Sequence, residues 1–225
     1  PELLDWLATE FVRQKWSVKS LIRVIVQSAA YRQTSLQAGT QDPDNKLLWR
    51  QNRRRLEGEI IRDKVLAVSG ALNAERGGPG VFIPLPDSLK DRMTIKNFPS
   101  WIPTRGPEAN KRSVYVFQRR QLEIPLFGVM DAPVFQTSCD RRAVSTTPLQ
   151  ALTLMNDEFT VTQAAQFAAR VRRETGPDAG EQVEHAFRLA LSRPPDPEER
   201  AQARKLSLES LCRALFNTNE FVYVD

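Results

Sequence analysis

Residues 130–156, MDAPVFQTSCDRRAVSTTPLQALTLMN, gather most of the side-chain types in this chain that could do chemistry. Cys139 precedes Asp140, Arg141 and Arg142, and cationic neighbours favour thiolate over thiol. A thiolate nucleophile also needs a base, and the lone histidine, His185, would have to supply it from far downstream. The other fates of Cys139 are a packed thiol or a disulfide with Cys212, itself on an apolar helix stripe that favours burial. Ser145, Thr146 and Thr147 offer hydroxyls and free amides directly before Pro148. A helix start combined with an arginine fork can hold a carboxylate, a sulfate or a sugar acid. The candidate anion- or ligand-binding set is therefore Asp131, Cys139, Arg141, Arg142, Ser145, Thr146, Thr147, Gln150 and Asn156. The competing expectation is that the hydroxyls only cap the helix while the arginines pair with Asp131 or Asp140. Asp131 with Asp140 or Glu123 would make a glycosidase-like carboxylate pair only at the right separation, which chain spacing does not decide. A deep pocket holding Asp131, Cys139, Arg142 and Thr146 would favour chemistry; the same groups consumed in internal hydrogen bonds would favour scaffolding.

Other chemistries find little footing. Two distant cysteines and one histidine make a poor zinc set. No C-x-x-C-H run attaches haem, so no cofactor is expected within this chain. His185 falls two positions after the core-type Val183, off the apolar stripe, and reads as a surface histidine. Asp42-Pro43-Asp44-Asn45 lacks the glycine and distal glutamate of a calcium loop, and fits an Asx turn. Gly77-Gly78-Pro79-Gly80 lacks the lysine of a phosphate loop. The 32 basic against 27 acidic residues give a net charge of +5 and a pI near 9.5. Acids are interspersed throughout, so Arg53-Arg54-Arg55, Arg119-Arg120, Arg141-Arg142 and Arg172-Arg173 read as solvated faces and local ion pairs. Nucleic acid is not an expected partner.

These groups must be positioned by helices. Leu4, Leu7, Ala8 and Phe11 fall at i, i+3, i+4 and i+7, and Val18, Leu21, Ile22 and Ile25 repeat the pattern after a short turn. The pair predicts a helical hairpin, with Ser17 as N-cap and Trp16 stapled onto Leu21. Further helices are expected near 54–72, 148–155, 158–173, 181–192 and 197–216. Thr147, Pro148 and Gln150 form a full helix start, Asn156 suits a left-handed end, and Asp157, Asp178 and Asp196 cap the three later helices. Ser113 to Phe117 is the clearest strand, with Phe221 to Val224 as its partner. Residues 73–111 carry too many prolines for a long helix. Phe82, Ile83, Leu85, Phe98, Trp101 and Ile102 should bury as that segment wraps over the helices.

The expectation is a mainly α, single multi-helix domain over 1–225, with a small β element and the long Pro/Gly-rich wrapping segment. Its parts are helical 1–72, wrapping 73–111, and a strand plus helices over 112–225. Hydrophobic content of 41% with mean hydropathy -0.42 describes material that folds around a core. No apolar run approaches the roughly 20 residues of a membrane span, and no signal peptide opens the chain. Pro1 leads straight into a helical pattern, which suggests a piece of a longer precursor.

Many ordered segments resemble one family. PELLDWLATEF, YRQTS, DPDNKLLWR, RRRLEGEIIRD, KRSVYVFQRR, the DAP…SCDRR…STTPLQALTLMN core, LALSRPP and LFNTNEFVYVD are similar to the planctomycete-specific domain 1 family, the domain of unknown function 1553. Only the stretch from Arg200 to Leu211 is shorter than that pattern. The resemblance implies the C-terminal part of a long exported, extracytoplasmic protein, with neighbouring domains as partners. It also implies that a haem, where present, sits in a separate cytochrome c module. It implies no reaction. The expected function is a binding or assembly module of a redox-linked parent; the alternative is an enzyme or an anion- or glycan-binding domain acting through residues 131–156.

Overall fold

Apolar stripes at helical spacing must find partners. The computed structural model describes residues 1–35, 42–89, 100–120 and 122–224. Phe98 and the middle of the polar loop near 34–46 lie outside these described residues. Among them the chain is mainly α-helical, with ten α-helices and one two-stranded ladder. It divides into two compact units, Pro1–Arg54 with Val224–Asp225, and Arg55–Tyr223.

In the first unit, α1 (Glu2–Arg13) and α2 (Val18–Gln27) form the expected hairpin. Ser17 caps α2 by accepting from the Ser20 amide at 3.3 Å. Lys15 and Trp16 both adopt positive φ, and Trp16 meets Phe11 edge-on at 5.2 Å. Asp42 accepts from the amides of Lys46 and Leu47 at 3.0 and 2.7 Å, four and five residues on, a wider loop than the expected Asx turn, which closes two residues on.

The second unit holds the core. At its edge β1 (Arg54–Arg55) pairs with β2 (Tyr223–Val224), and the Leu56 amide donates to Val222 O at 2.8 Å. That pairing consumes the start of the helix expected near 54–72, so α3 runs only over Gly58–Ser69. The helices after it are α4 (Pro125–Val129), α5 (Pro148–Asn156), α6 (Glu158–Thr175) and α7 (Ala179–Leu191). The single helix expected over 197–216 is two, α8 (Pro197–Ala203) and α9 (Leu208–Phe216), because Ser207 caps a fresh start by accepting from Ser210 N–H at 3.2 Å. A last turn, α10 (Asn219–Val222), leads into β2. Helix α6 lies at the centre, packed on α3, α5, α7 and α9. Phe167, Phe216 and Phe221 pile up there with centroids 5.6 and 5.2 Å apart.

The strand expected over Ser113 to Phe117 is not formed. Ser113–Tyr115 is a 3-10 turn, and Val116 makes only an isolated bridge with Val81. The cause is Asp63 on α3, whose Oδ1 takes both the amide and the hydroxyl of Ser113 at 2.7 Å each. Val114 is left 76% exposed. Phe221 and Val222 are helical, and the extended tail pairs with β1 instead. Within the wrapping segment Ile83 and Trp101 are buried, joined by Trp101 Nε1 donating to Ile83 O at 2.9 Å. Ile102, expected inside, is 73% exposed.

Candidate functional site

Asp131 is the hub of the 130–156 segment. Helix α4 ends in a left-handed turn with Asp131 at φ 59, a conformation aspartate tolerates better than most residues. The Ala132 amide returns to Phe127 O at 2.9 Å and the Asp131 amide to Gly128 O at 3.0 Å, the paired bonds of a Schellman end. Gly58 lets α3 approach: a Cβ there would stand 2.9 Å from Met130 Cβ and 3.3 Å from Phe127 Cα. Arg55, just ahead, then donates from Nη2 to Asp131 Oδ2 at 2.6 Å and to Met130 O at 3.1 Å. The two side chains are 4% and 20% exposed. Ser145 donates its amide and hydroxyl to the same carboxylate at 2.7 and 2.8 Å. Burial pushes the Asp131 carboxyl up, but the Ser145 donors and Arg55 together outweigh it and hold the group below its ordinary range. A carboxylate held ionised by an arginine and two Ser145 donors is a poor proton donor.

Most of the other candidate residues are spent in similar ways. Arg142 pairs with neither Asp131 nor Asp140. Its fork grips Glu59 at the start of α3, at 2.8 and 3.0 Å, with Glu57 at 3.4 Å. Burial raises the Glu59 carboxyl, and the Arg142 bonds together with its own backbone amide more than offset that. Gln150 accepts from the Thr147 amide at 3.3 Å, completing the expected capping box, and donates to Val129 O at 3.0 Å. Thr146 lies 3.4 Å from the Tyr223 hydroxyl. Asn156 does not take the left-handed position expected of it; it is the last residue of α5 and bonds Leu152 O at 3.0 Å, while Asp157 caps α6. Cys139 and Arg141 are exposed, and the thiol donates to Arg141 O at 3.3 Å. Cys212 is buried and both thiols are free, so no disulfide joins them. Burial pushes the Cys212 thiol up to about 12. His185 bonds Glu174 at 2.7 Å near the surface.

The partners were harder to see than the hub. Arg53-Arg54-Arg55 and Arg119-Arg120 look like solvated clusters, yet Arg55 and Arg119 are buried. Arg62 is buried as well, donating to Lys111 O, Ala109 O and Ser113 Oγ at 3.0, 2.9 and 3.2 Å. Burial draws its pKa down to about 10. Arg193, in the LALSRPP run, joins Glu199 to Glu220 with 2.7 Å contacts to each. A cavity of about 340 Å³ lies away from the Asp131 hub, and none of residues 130–156 lines it.

These contacts set two expected results. Thr147→Ala should lower stability by about 1 kcal/mol, as lost N-caps do; an unchanged denaturant midpoint would place the helix start elsewhere. With both forks of Arg142 on Glu59, sulfate or sulfated oligosaccharides should raise the melting temperature of wild type and Arg142→Ala equally at matched ionic strength. A larger rise in wild type would mean that Arg142 leaves Glu59 for the anion.

The fold and the hub together define a helical module whose most chemically loaded segment is clamped onto β1 and α3 by two arginine–carboxylate contacts, Arg55 to Asp131 and Arg142 to Glu59. The chain belongs to the PSD1 family, described as a protein of unknown function (DUF1553), whose model matches residues 1–207. That match ends at the Ser207 cap, before α9. No curated protein and no solved structure matches the chain.

Proposed function

We propose that the chain is a binding or assembly module of a larger exported, extracytoplasmic and redox-linked protein. The observation that carries this is the surface of the first unit. No residue of α1 or α2 belongs to the buried hydrophobic cluster among the described residues. Leu3, Leu4 and Trp6 on α1, with Val18, Ile22 and Ile25 on α2, stay exposed; Trp16 between them is 68% exposed and Ile22 53%. Leu21 and Val24 on another face of α2 are half-buried. A helix apolar on two faces is one that packs between neighbours, and contiguous exposed apolar surface marks an interaction site.

The partner chemistry comes from charge. Helix α2 contains no acidic residue, while Lys19 and Arg23 border its exposed stripe at i and i+4. An amphipathic helix of a neighbouring domain, with acidic residues flanking an aliphatic stripe, complements it. The saturated Asp131 and Arg142 contacts support scaffolding over catalysis in the 130–156 segment. The exported and redox-linked setting draws its support from the family resemblance. The test is hydrogen exchange on the full-length parent against the chain alone: α2 amides should gain protection in the parent, and Ile22→Asp should abolish that gain. Equal exchange in both would overturn the assembly role. A haem absorbance band in the purified parent tests the redox link.

A further inference from the structure

The cavity of about 340 Å³ in the second unit lies between the described part of the wrapping segment and the start of α6. Ile83, Leu85, Ile124 and Leu126 form its aliphatic walls, closed by Pro86 and the Phe159 ring. Cavities of a few hundred Å³ with mostly apolar walls and a few polar groups are the usual form of small-molecule sites. The mouth reaches solvent at Pro84, Pro86, Glu158 and Thr162, all of them exposed.

The polar groups decide what fits. Arg62 is the cation in the wall, but its terminal nitrogens already serve Lys111 O, Ser113 Oγ and Ala109 O. Its guanidinium also lies 5.6 Å from the centre of the Phe159 ring. It braces the wall and offers no fork to an anion. The positive end of α6 is met by Asp157, which accepts from the Phe159 amide at 3.0 Å. Glu158 beside it is exposed, and no hydrogen bond or ion pair engages it among the described residues. Among the described residues lining the cavity, the unspent charge is therefore negative.

We propose that this cavity binds small apolar molecules carrying a cationic head, of the alkylammonium or arylammonium class. The tail lies against Ile83, Leu85, Ile124 and Leu126, and the head sits at Glu158. Nothing in this site depends on the assembly role argued from α1 and α2.

The probes are octylammonium, octanol and octyl sulfate below their micellar concentrations, monitored by titration calorimetry and methyl chemical shifts. Octylammonium should bind several-fold tighter than octanol and shift the methyls of Ile83, Ile124 and Leu126. Glu158→Gln should reduce octylammonium to the level of octanol while leaving octanol unchanged. Thr162→Trp and Pro86→Trp, on opposite exposed rims, should each weaken both ligands at least tenfold with the melting temperature retained. Gln202→Trp, beside a different cavity, should change neither. Shifts confined to Val18, Ile22 and Ile25 would place binding on the hairpin and overturn the proposal. So would octyl sulfate binding as tightly as octylammonium, or unaltered binding in both rim variants.

Discussion

Asp131→Ala should lower the stability of the second unit by about 3–5 kcal/mol, because it strands the Arg55 guanidinium without its carboxylate. Arg55 is only 4% exposed, so its guanidinium is largely removed from water when its carboxylate partner is lost. The substitution also removes the acceptor for both Ser145 donors, which lie 2.7 and 2.8 Å from the carboxylate. Adding Arg55→Met to Asp131→Ala should recover much of the loss, since the double variant leaves no buried charge. A double variant no better than the single one would assign the cost to the turn geometry of Asp131. The effect also carries a pH signature. The folded carboxyl titrates below its ordinary value of 3.8, so the unfolded chain binds the proton first. The contribution is then complete above that value and fades as pH falls towards the folded one. The gap in denaturation midpoint between wild type and Asp131→Ala should narrow on acidification below about pH 4. A gap that stayed constant or widened there would remove the charge from the explanation.

Phe216→Ala should cost about 3–5 kcal/mol, the range of large-to-small changes at fully buried aromatic sites. Its side chain is inaccessible to solvent and lies between Phe167, 5.6 Å away, and Phe221, 5.2 Å away. Those contacts tie α9 to the central α6 and to the α10 turn, so the void opens where three elements meet. Phe216→Leu, which retains most of the volume, should cost less than half as much. The measurement is chemical denaturation monitored by circular dichroism. A loss near that of an exposed site, below about 0.5 kcal/mol, would mean that the C-terminal helices do not share the core with α6.

Local rules were readable wherever a residue answered to its own neighbours in sequence. Ser17, Asp157, Asp178, Asp196 and the Thr147–Gln150 box all cap the helices they precede. Each uses a side chain that bonds an amide two or three residues away, and no tertiary partner is needed. The stripes of α6, α7 and α9 are buried for the same kind of reason, since a period of 3.6 declares one face. The strand over Ser113 to Phe117 failed because β-branched composition describes a residue that suits a sheet, not a sheet that is present. Asp63 offered Ser113 two hydrogen bonds, and the chain turned towards α3 instead.

At the candidate site the division is sharper. The amino-acid sequence alone determined that Thr147 would begin a helix and that this stretch would gather charge and hydroxyls. Only the tertiary structure decided where those groups were spent. Arg55 and Asp131 meet because Gly58 lets α3 and α4 approach closely, and Arg142 meets Glu59 on that same α3. Partners so far apart along the chain share no period, cap or turn rule, and a guanidinium chooses among many carboxylates by distance and burial. The same holds for the cavity beside Phe159, whose walls come from five separate stretches of chain. Local hydrogen bonding and helical periodicity are written in order along the sequence; charge pairing and empty space exist only once the elements have packed.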